Sequence, residues 1–369
     1  MAAPLKDMYS PTFYNRFSQV LKTCIADLDT AEFQKRIFVA DWEQKELKDR
    51  MRHTSLVLHE FMPADFMEAI ECIQACIVKL KEHKISEFGF EFMFFPDYIE
   101  LYGQNHFEEA MSAMKEVTKF ASCEFAVRPF IIANQDRSLD LLTTWSLDEN
   151  EHVRRLASEG SRPRLPWAMA LPALKKNPAP IQPILENLKN DPSEYVRRSV
   201  ANNLNDISKD HPDFVLEIFK DWIGKDINRN KLVKHGARTL LKKGDVHALS
   251  IFGLGPNPAI QVENLKILSP VVKIGDYLSF EFKLENTSLE AALVRLEYAI
   301  YYKGSTGDQR KKVFKISEKT YPSKSKKSIQ RRQSFKLIST RRFYEGVQGL
   351  SIIINGVEQE KKAFELING

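Results

Sequence analysis

Cysteine is scarce in this chain. Four residues, Cys24, Cys72, Cys76 and Cys123, stand among 369, all in the first third. So few thiols argue against a disulfide framework and for a reducing compartment. Cys72 and Cys76 are four apart and share a helix face, yet no matching Cys/His pair completes a metal site, so both are expected to be core thiols. The eight histidines show no H-E-x-x-H or similar spacing, and neither a metal nor another cofactor is expected. No uninterrupted apolar run approaches the roughly 18 residues of a membrane helix, and "MAAPLKDMYSPTFYNRF" lacks the apolar core of a signal peptide. The expectation is a soluble cytoplasmic protein with no membrane partner.

Charge is unevenly spread. The net charge of +5 conceals a carboxyl-terminal segment, Pro258 to Gly369, with 20 basic and 12 acidic residues, against 34 and 37 in the remainder. A basic tail favours a polyanionic partner.

Residues 10 to about 250 carry apolar side chains at helical spacing, as in Val196, Val200, Leu204 and Ile207. The segment also resembles itself. "DENEHVRRLASEG" (148–160) aligns without gaps on "DPSEYVRRSVANN" (191–203), and "NRNKLVKHGARTLL" (228–241) is a looser copy. Asp148 and Asp191 suit helix N-caps, with Glu151 and Glu194 three residues on. The 43-residue offset matches HEAT-type helical pairs, whose stacking yields a solenoid with a concave binding face. "FGLGPNPAI" (252–260) reads as a linker. Beyond it the period becomes two, at Leu278, Phe280, Phe282 and Leu284, at Val294 to Tyr302, and at Leu350 to Ile354, which predicts an immunoglobulin-like β-sandwich. The expected fold is therefore an α-solenoid of HEAT-like repeats over 1–253, a linker over 254–259, and a β-sandwich over 260–369.

"LASEGSRPRLPWA" (156–168) breaks the repeat. Where the second copy has Asn202 and Asn203, the first has Glu159 and Gly160, and Pro163 and Pro166 then exclude a regular helix. Solenoid stability does not require this departure. An exposed corner with a carboxylate, two guanidiniums and an indole points to a site for something anionic and flat.

"ASEGSRPRLPWA" and "CEFAVRPF" (123–130), with the helical array and the basic β tail, resemble the AlkC branch of the HEAT-like-repeat DNA alkylation repair glycosylases. The resemblance covers nearly the whole chain. It implies hydrolysis of the N-glycosidic bond of N-alkylated bases such as 3-methyladenine and 3-methylcytosine in DNA; the expected partner is double-stranded DNA containing alkylated bases, and the expected state is a monomer. Alkylation makes the base a cationic leaving group, so carboxylates that stabilise an oxocarbenium-like sugar and position water suffice. Glu159 is the first candidate; Glu124 and Asp206 join it by resemblance, each near the end of its own repeat helix. Trp167 is expected to stack on the lesion or its sugar. Arg128, Arg154, Arg155, Arg162 and Arg164 are expected to hold phosphates. In the tail, "SKSKKSIQRRQ" supplies Lys326, Lys327, Arg331 and Arg332 as a second backbone contact, with "STRR" (339–342) beside it. No lysine motif supports Schiff-base chemistry, which favours a glycosylase without lyase activity.

Each feature has a plainer alternative. Glu124 suits a helix N-terminal charge, Arg155 and Arg198 suit salt bridges within the solenoid, Trp167 suits a core anchor, and the basic tail suits an edge strand guarded by charge. The rival functions are a non-catalytic repeat scaffold and a damaged-DNA binder.

Overall fold

The computed structural model describes residues 4–85, 89–337 and 342–368. The chain divides into two compact units, Met1–His211 with Gly224–Gly236, and Pro212–Ile223 with Ala237–Gly369.

The first unit is helical throughout, and among the described residues no strand precedes Ile260. The repeat seen in sequence reappears in atomic detail. In the first copy the Arg154 Nη1 donates to the carbonyls of Asp148 and Glu149 at 2.9 and 2.8 Å. In the second, Arg197 Nη1 donates to those of Asp191 and Pro192 at 2.6 and 2.8 Å. The first arginine of each Val-Arg-Arg triplet thus ties its helix to the turn before it. The caps differ from expectation, because the helices start two residues later. Asn150 and Ser193 are the N-caps of Glu151–Gly160 and Glu194–Ile207. Asp148 and Asp191 instead accept the backbone N–H of Asn150 and Ser193 in Asx turns, at 2.9 and 2.8 Å.

The Glu151–Gly160 helix stops where its copy continues to Ile207. Gly160 is a packing requirement, since a Cβ there would stand 2.6 Å from Val127 Cγ1, on the Val127–Ala133 helix. The chain then turns through Pro163–Leu171, closed by Leu171 N to Pro163 O at 3.2 Å and by Ala168 N to Leu165 O at 3.3 Å. Leu165 and Leu171 are buried beneath it.

The second unit holds strands β1 (Ile260–Ile267), β2 (Val271–Lys273), β3 (Tyr277–Asn286), β4 (Ala292–Lys303), β5 (Gln309–Tyr321), β6 (Lys326–Ser334), β7 (Gly346–Ile354), β8 (Val357–Glu358) and β9 (Lys362–Ile367). They form one sheet ordered β1-β3-β6 and another ordered β2-β9-β7-β4-β5, with β8 on β7. The alternation read from sequence is the inward face. Leu278, Phe280, Phe282, Leu284, Val294, Leu296, Ile300, Leu350 and Ile352 are at most 1% exposed and fill one core. In this core Tyr298 stacks on Phe314 at 5.1 Å and meets Phe280 at 5.2 Å with the rings tilted by 58°. "NG" turns β7 into β8 with positive φ at both Asn355 and Gly356, the type I′ signature.

The division falls earlier than the expected boundary at 253. Helices Pro212–Trp222, Arg238–Lys243 and Val246–Ile251 belong with the sandwich. Asn355 Nδ2 donates to Gly255 O at 3.0 Å, and the Gly356 and Gly244 backbones meet at 3.3 Å. Leu254, inside the expected linker, is buried. No described helix is long and apolar enough to cross a membrane.

Candidate active site

Three carboxylates from three places in the chain converge at the carboxyl end of the Glu151–Gly160 helix. Glu124 comes from the turn before the Val127–Ala133 helix, rather than from a helix end as expected. Glu159 lies one residue before its helix ends, and Asp206 sits in the last turn of Glu194–Ile207. Cations alternate with them. Arg155 Nη1 is 2.6 Å from Glu124 Oε2, and its Nη2 is 3.7 Å from Glu159 Oε1. Arg162 Nη1 is 2.6 Å from the same Glu159 oxygen, and its Nη2 is 2.7 Å from Asp206 Oδ2. Lys209 closes the row on Asp206 Oδ1 at 2.9 Å.

Burial grades along this row. The Glu124 side chain is 16% exposed, that of Glu159 7% and that of Asp206 2%. Glu124 is therefore the most accessible of the three, and Asp206 is closed in by its two cations. Burial opposes the charges on Arg155 and Arg162, yet the flanking carboxylates outweigh it and hold both guanidinium pKa values above the ordinary one. Neutral donors complete the fixation: Ser199 Oγ gives a 2.6 Å hydrogen bond to Glu159 Oε2, and Ser122 Oγ a 2.8 Å bond to Glu124 Oε2. Both glutamates are thus held in place before any ligand arrives, the condition for electrostatic stabilisation without reorganisation.

Beside this row the corner presents Trp167. The residue is 63% exposed, so it is no core anchor, and its φ is +66°. A non-glycine residue in the left-handed region costs on the order of 1 kcal/mol or more, and such strain concentrates where structure over-determines it.

The five arginines expected to bind phosphate are all engaged within the protein. Arg128 is fully buried, giving Nε to Met169 O at 2.6 Å and Nη1 to Gly160 O at 2.9 Å. Burial, followed by repulsion from Arg162, lowers its pKa to about 10. Arg162 is spent on the carboxylates. Arg154 forms a bidentate pair with Asp191 at 2.6 and 3.0 Å. Arg155, besides pairing with Glu124, lies 4.7 Å from the Tyr195 ring centroid. Arg164 is the most exposed of the five, at 37%, and holds Asp210 with two bonds of 2.6 and 2.8 Å. None of the five stands unengaged at the surface, because each finds a carboxylate or carbonyl that the linear order hides.

Sequence reasoning missed Lys209, Ser199, Ser122 and Tyr195. Tyr195 alone carried a signal, since "SEYVRR" (193–198) and "CEFAVR" (123–128) share a Glu-aromatic-x-x-Arg spacing. It also missed a cationic notch between Glu194–Ile207 and Ile227–Gly236, lined by Arg197, Arg198, Lys231 and His235. The Arg198 side chain is 62% exposed and pairs with Glu194; Lys231 is exposed.

In the second unit, β6 is an edge strand, as the plainer alternative expected. Lys326 is engaged by Glu263 and Glu285 at 2.6 and 2.8 Å. The Arg332 guanidinium lies 5.5 Å from the Tyr277 ring centroid; Lys327, Arg331 and Arg332 are exposed. Residues 339–341 of "STRR" lie outside the described residues. All four cysteines are free, with Cys76 and Cys123 buried and Cys24 and Cys72 half-buried. Among the described residues no group of three or more His, Cys, Asp or Glu side chains is arranged to hold a metal.

A helical repeat array with a carboxylate row at one altered repeat, followed by an immunoglobulin-like sandwich, defines a recognisable class. Residues 102–237 match the DNA alkylation repair enzyme family, and residues 261–368 match the C-terminal Ig-like domain described for the uncharacterised protein YhaZ. Over 364 residues the chain is 40% identical to the uncharacterized protein YhaZ of Bacillus subtilis, covering 99% of each. The alkylpurine DNA glycosylase AlkC of Pseudomonas fluorescens, solved bound to DNA containing an abasic site analog, superposes with a TM-score of 0.92 at 33% identity, over 99% of this chain and 100% of that one. The chain belongs to the DNA alkylation repair enzyme family.

Proposed function

We propose that this protein is a monofunctional DNA glycosylase that hydrolyses the N-glycosidic bond of cationic N-alkylated bases, 3-methyladenine and 3-methylcytosine, in duplex DNA. It works as a cytoplasmic monomer without a cofactor. The observation that carries the reading is the pair of pre-oriented glutamates, Glu159 and Glu124, beside the exposed indole of Trp167. Its likeness to AlkC supports it.

A base alkylated at a ring nitrogen departs as a neutral molecule, so a strong general acid is unnecessary. The sugar left behind gathers positive charge, which the carboxylate of Glu159 stabilises, while the more exposed Glu124 orients and deprotonates the attacking water. Asp206, buried between Arg162 and Lys209, acts by holding Arg162 against Glu159. Phosphate contacts fall to exposed cations: Arg198 and Lys231 in the repeats, Lys327, Arg331 and Arg332 on β6.

The test is to incubate the purified protein with methylated duplex DNA and identify released bases by mass spectrometry. Free 3-methyladenine or 3-methylcytosine without strand cleavage supports the reading. Tight binding without release leaves a damage binder, and neither release nor binding leaves a scaffold.

A further inference from the structure

The row of carboxylates does not by itself explain why Trp167 stands where it does. Its backbone is in a conformation that residues with side chains rarely adopt, and the residue is largely exposed. Within the turn closed by Ala168 N and Leu171 N, its carbonyl oxygen also accepts a hydrogen bond from the ammonium of Lys48, 119 positions away. Lys48 lies in the first turn of the Leu47–His59 helix. The same ammonium sits 5.0 Å from the ring centroid of Phe125, the residue after Glu124. One cation thus touches both the turn that carries Glu124 and the corner that carries Trp167.

Its own helix is anchored in turn. Arg52, one turn on, joins the buried Asp97 at 2.9 Å and Glu100 at 3.0 Å, both on the Phe94–Tyr102 helix. Arg128 braces the far side of the corner through Met169 O, as described above.

We infer that Lys48 is a positioning residue that fixes Trp167 relative to Glu124, setting the gap in which the alkylated nucleotide is held. The inference rests on the glycosylase reading for its consequence in turnover, though not for the contact itself. A lysine whose purpose was to hold phosphate would not spend its ammonium on a carbonyl and a ring face. Positioning of this kind appears in the rate of the bound complex more than in affinity, because the phosphate contacts are elsewhere.

The experiment separates the two dependences. The chain has four tryptophans, and Trp42, Trp145 and Trp222 are at most 4% exposed. The full-length protein labelled with fluorotryptophan therefore gives four fluorine resonances, of which Trp167 is assigned by its loss in Trp167→Phe. Lys48→Met is expected to shift or broaden the Trp167 resonance alone, and to lower the single-turnover excision rate of 3-methyladenine about tenfold with DNA affinity held within about twofold. Lys48→Arg, which keeps a donor and a charge, restores both. An unmoved Trp167 resonance in Lys48→Met overturns the inference, as does a loss that falls on affinity with the rate preserved. If the wild-type protein excises nothing while the resonance still moves, the positioning contact stands and the glycosylase reading is what fails.

Discussion

Arg162 bridges Glu159 and Asp206, with nitrogens 2.6 Å from one carboxylate and 2.7 Å from the other. All three side chains are at most 7% exposed, and they come from a helix end, the corner after it and the following repeat. The altered repeat is joined to its unaltered copy through this guanidinium. Removing Asp206 takes away one of Arg162's two buried carboxylate partners, and breaking a buried ion pair by deleting one member typically costs about 3–5 kcal/mol. Asp206→Ala is therefore expected to lower the midpoint of urea unfolding strongly, whereas Glu194→Ala, which breaks an exposed pair with Arg198, shifts stability by less than about 0.5 kcal/mol. Equal effects of the two would contradict the burial gradient.

Glu159→Gln separates chemistry from structure. The amide keeps the shape, with its oxygen accepting from Arg162 Nη1 and its NH2 donating to the Ser199 hydroxyl oxygen, but it lacks the charge that a developing oxocarbenium requires. Excision is expected to fall by at least about 100-fold with DNA affinity near wild type. Unchanged turnover would remove Glu159 from the mechanism.

Much of this layout was legible beforehand, and the part that was not has a common cause. The 43-residue offset was visible because each copy repeats its contacts, down to the Arg154 and Arg197 bonds to their own turns. Glu159 and Trp167 stood out because they break the copy. The partners of the arginines were not legible, because a basic residue looks the same in sequence whether it meets a phosphate or a carboxylate 44 positions away, as Arg162 does. "FGLGPNP" has a linker's composition, yet Leu254 is buried and three helices before it pack in the same compact unit as the sandwich, which composition does not show. Lys48 has no motif at all, since its partners, Trp167 and Phe125, are joined only by the fold.

Gly160 tests the close approach of two helices. Its missing side chain lets the Glu151–Gly160 helix end against Val127, and a β-branched neighbour has little freedom to move aside. Gly160→Ala is expected to destabilise by about 1–3 kcal/mol despite alanine's better helix propensity. Val127→Ala in the same chain should recover part of that loss, measured as a double-mutant cycle; full additivity would show that the two do not touch.

The Arg164–Asp210 pair predicts a dependence on pH. Hydrogen bonding from Arg164 holds the Asp210 carboxyl below its ordinary range. A depressed carboxylate pKa adds stability that is fully present above the unfolded value of about 4 and is lost as pH falls through the folded one. Arg164→Gln removes that contribution at neutral pH, so its thermal midpoint should lie below wild type at pH 7 and converge on it toward about pH 3. A constant gap across this range would mean that the pair's charge contributes nothing.

The edge strand β6 distinguishes cations at work from cations already paired. Lys326 is engaged by Glu263 and Glu285, while Lys327 and Arg331 are exposed. If the strand contacts the DNA backbone, Lys327→Gln and Arg331→Gln should each weaken duplex binding irrespective of sequence and lower the slope of log affinity against log salt by about one. Lys326→Gln should change that slope less, because its charge is already neutralised. A uniform lack of effect from all three would assign the basic strand to its other role, guarding an open sheet edge against pairing with another chain.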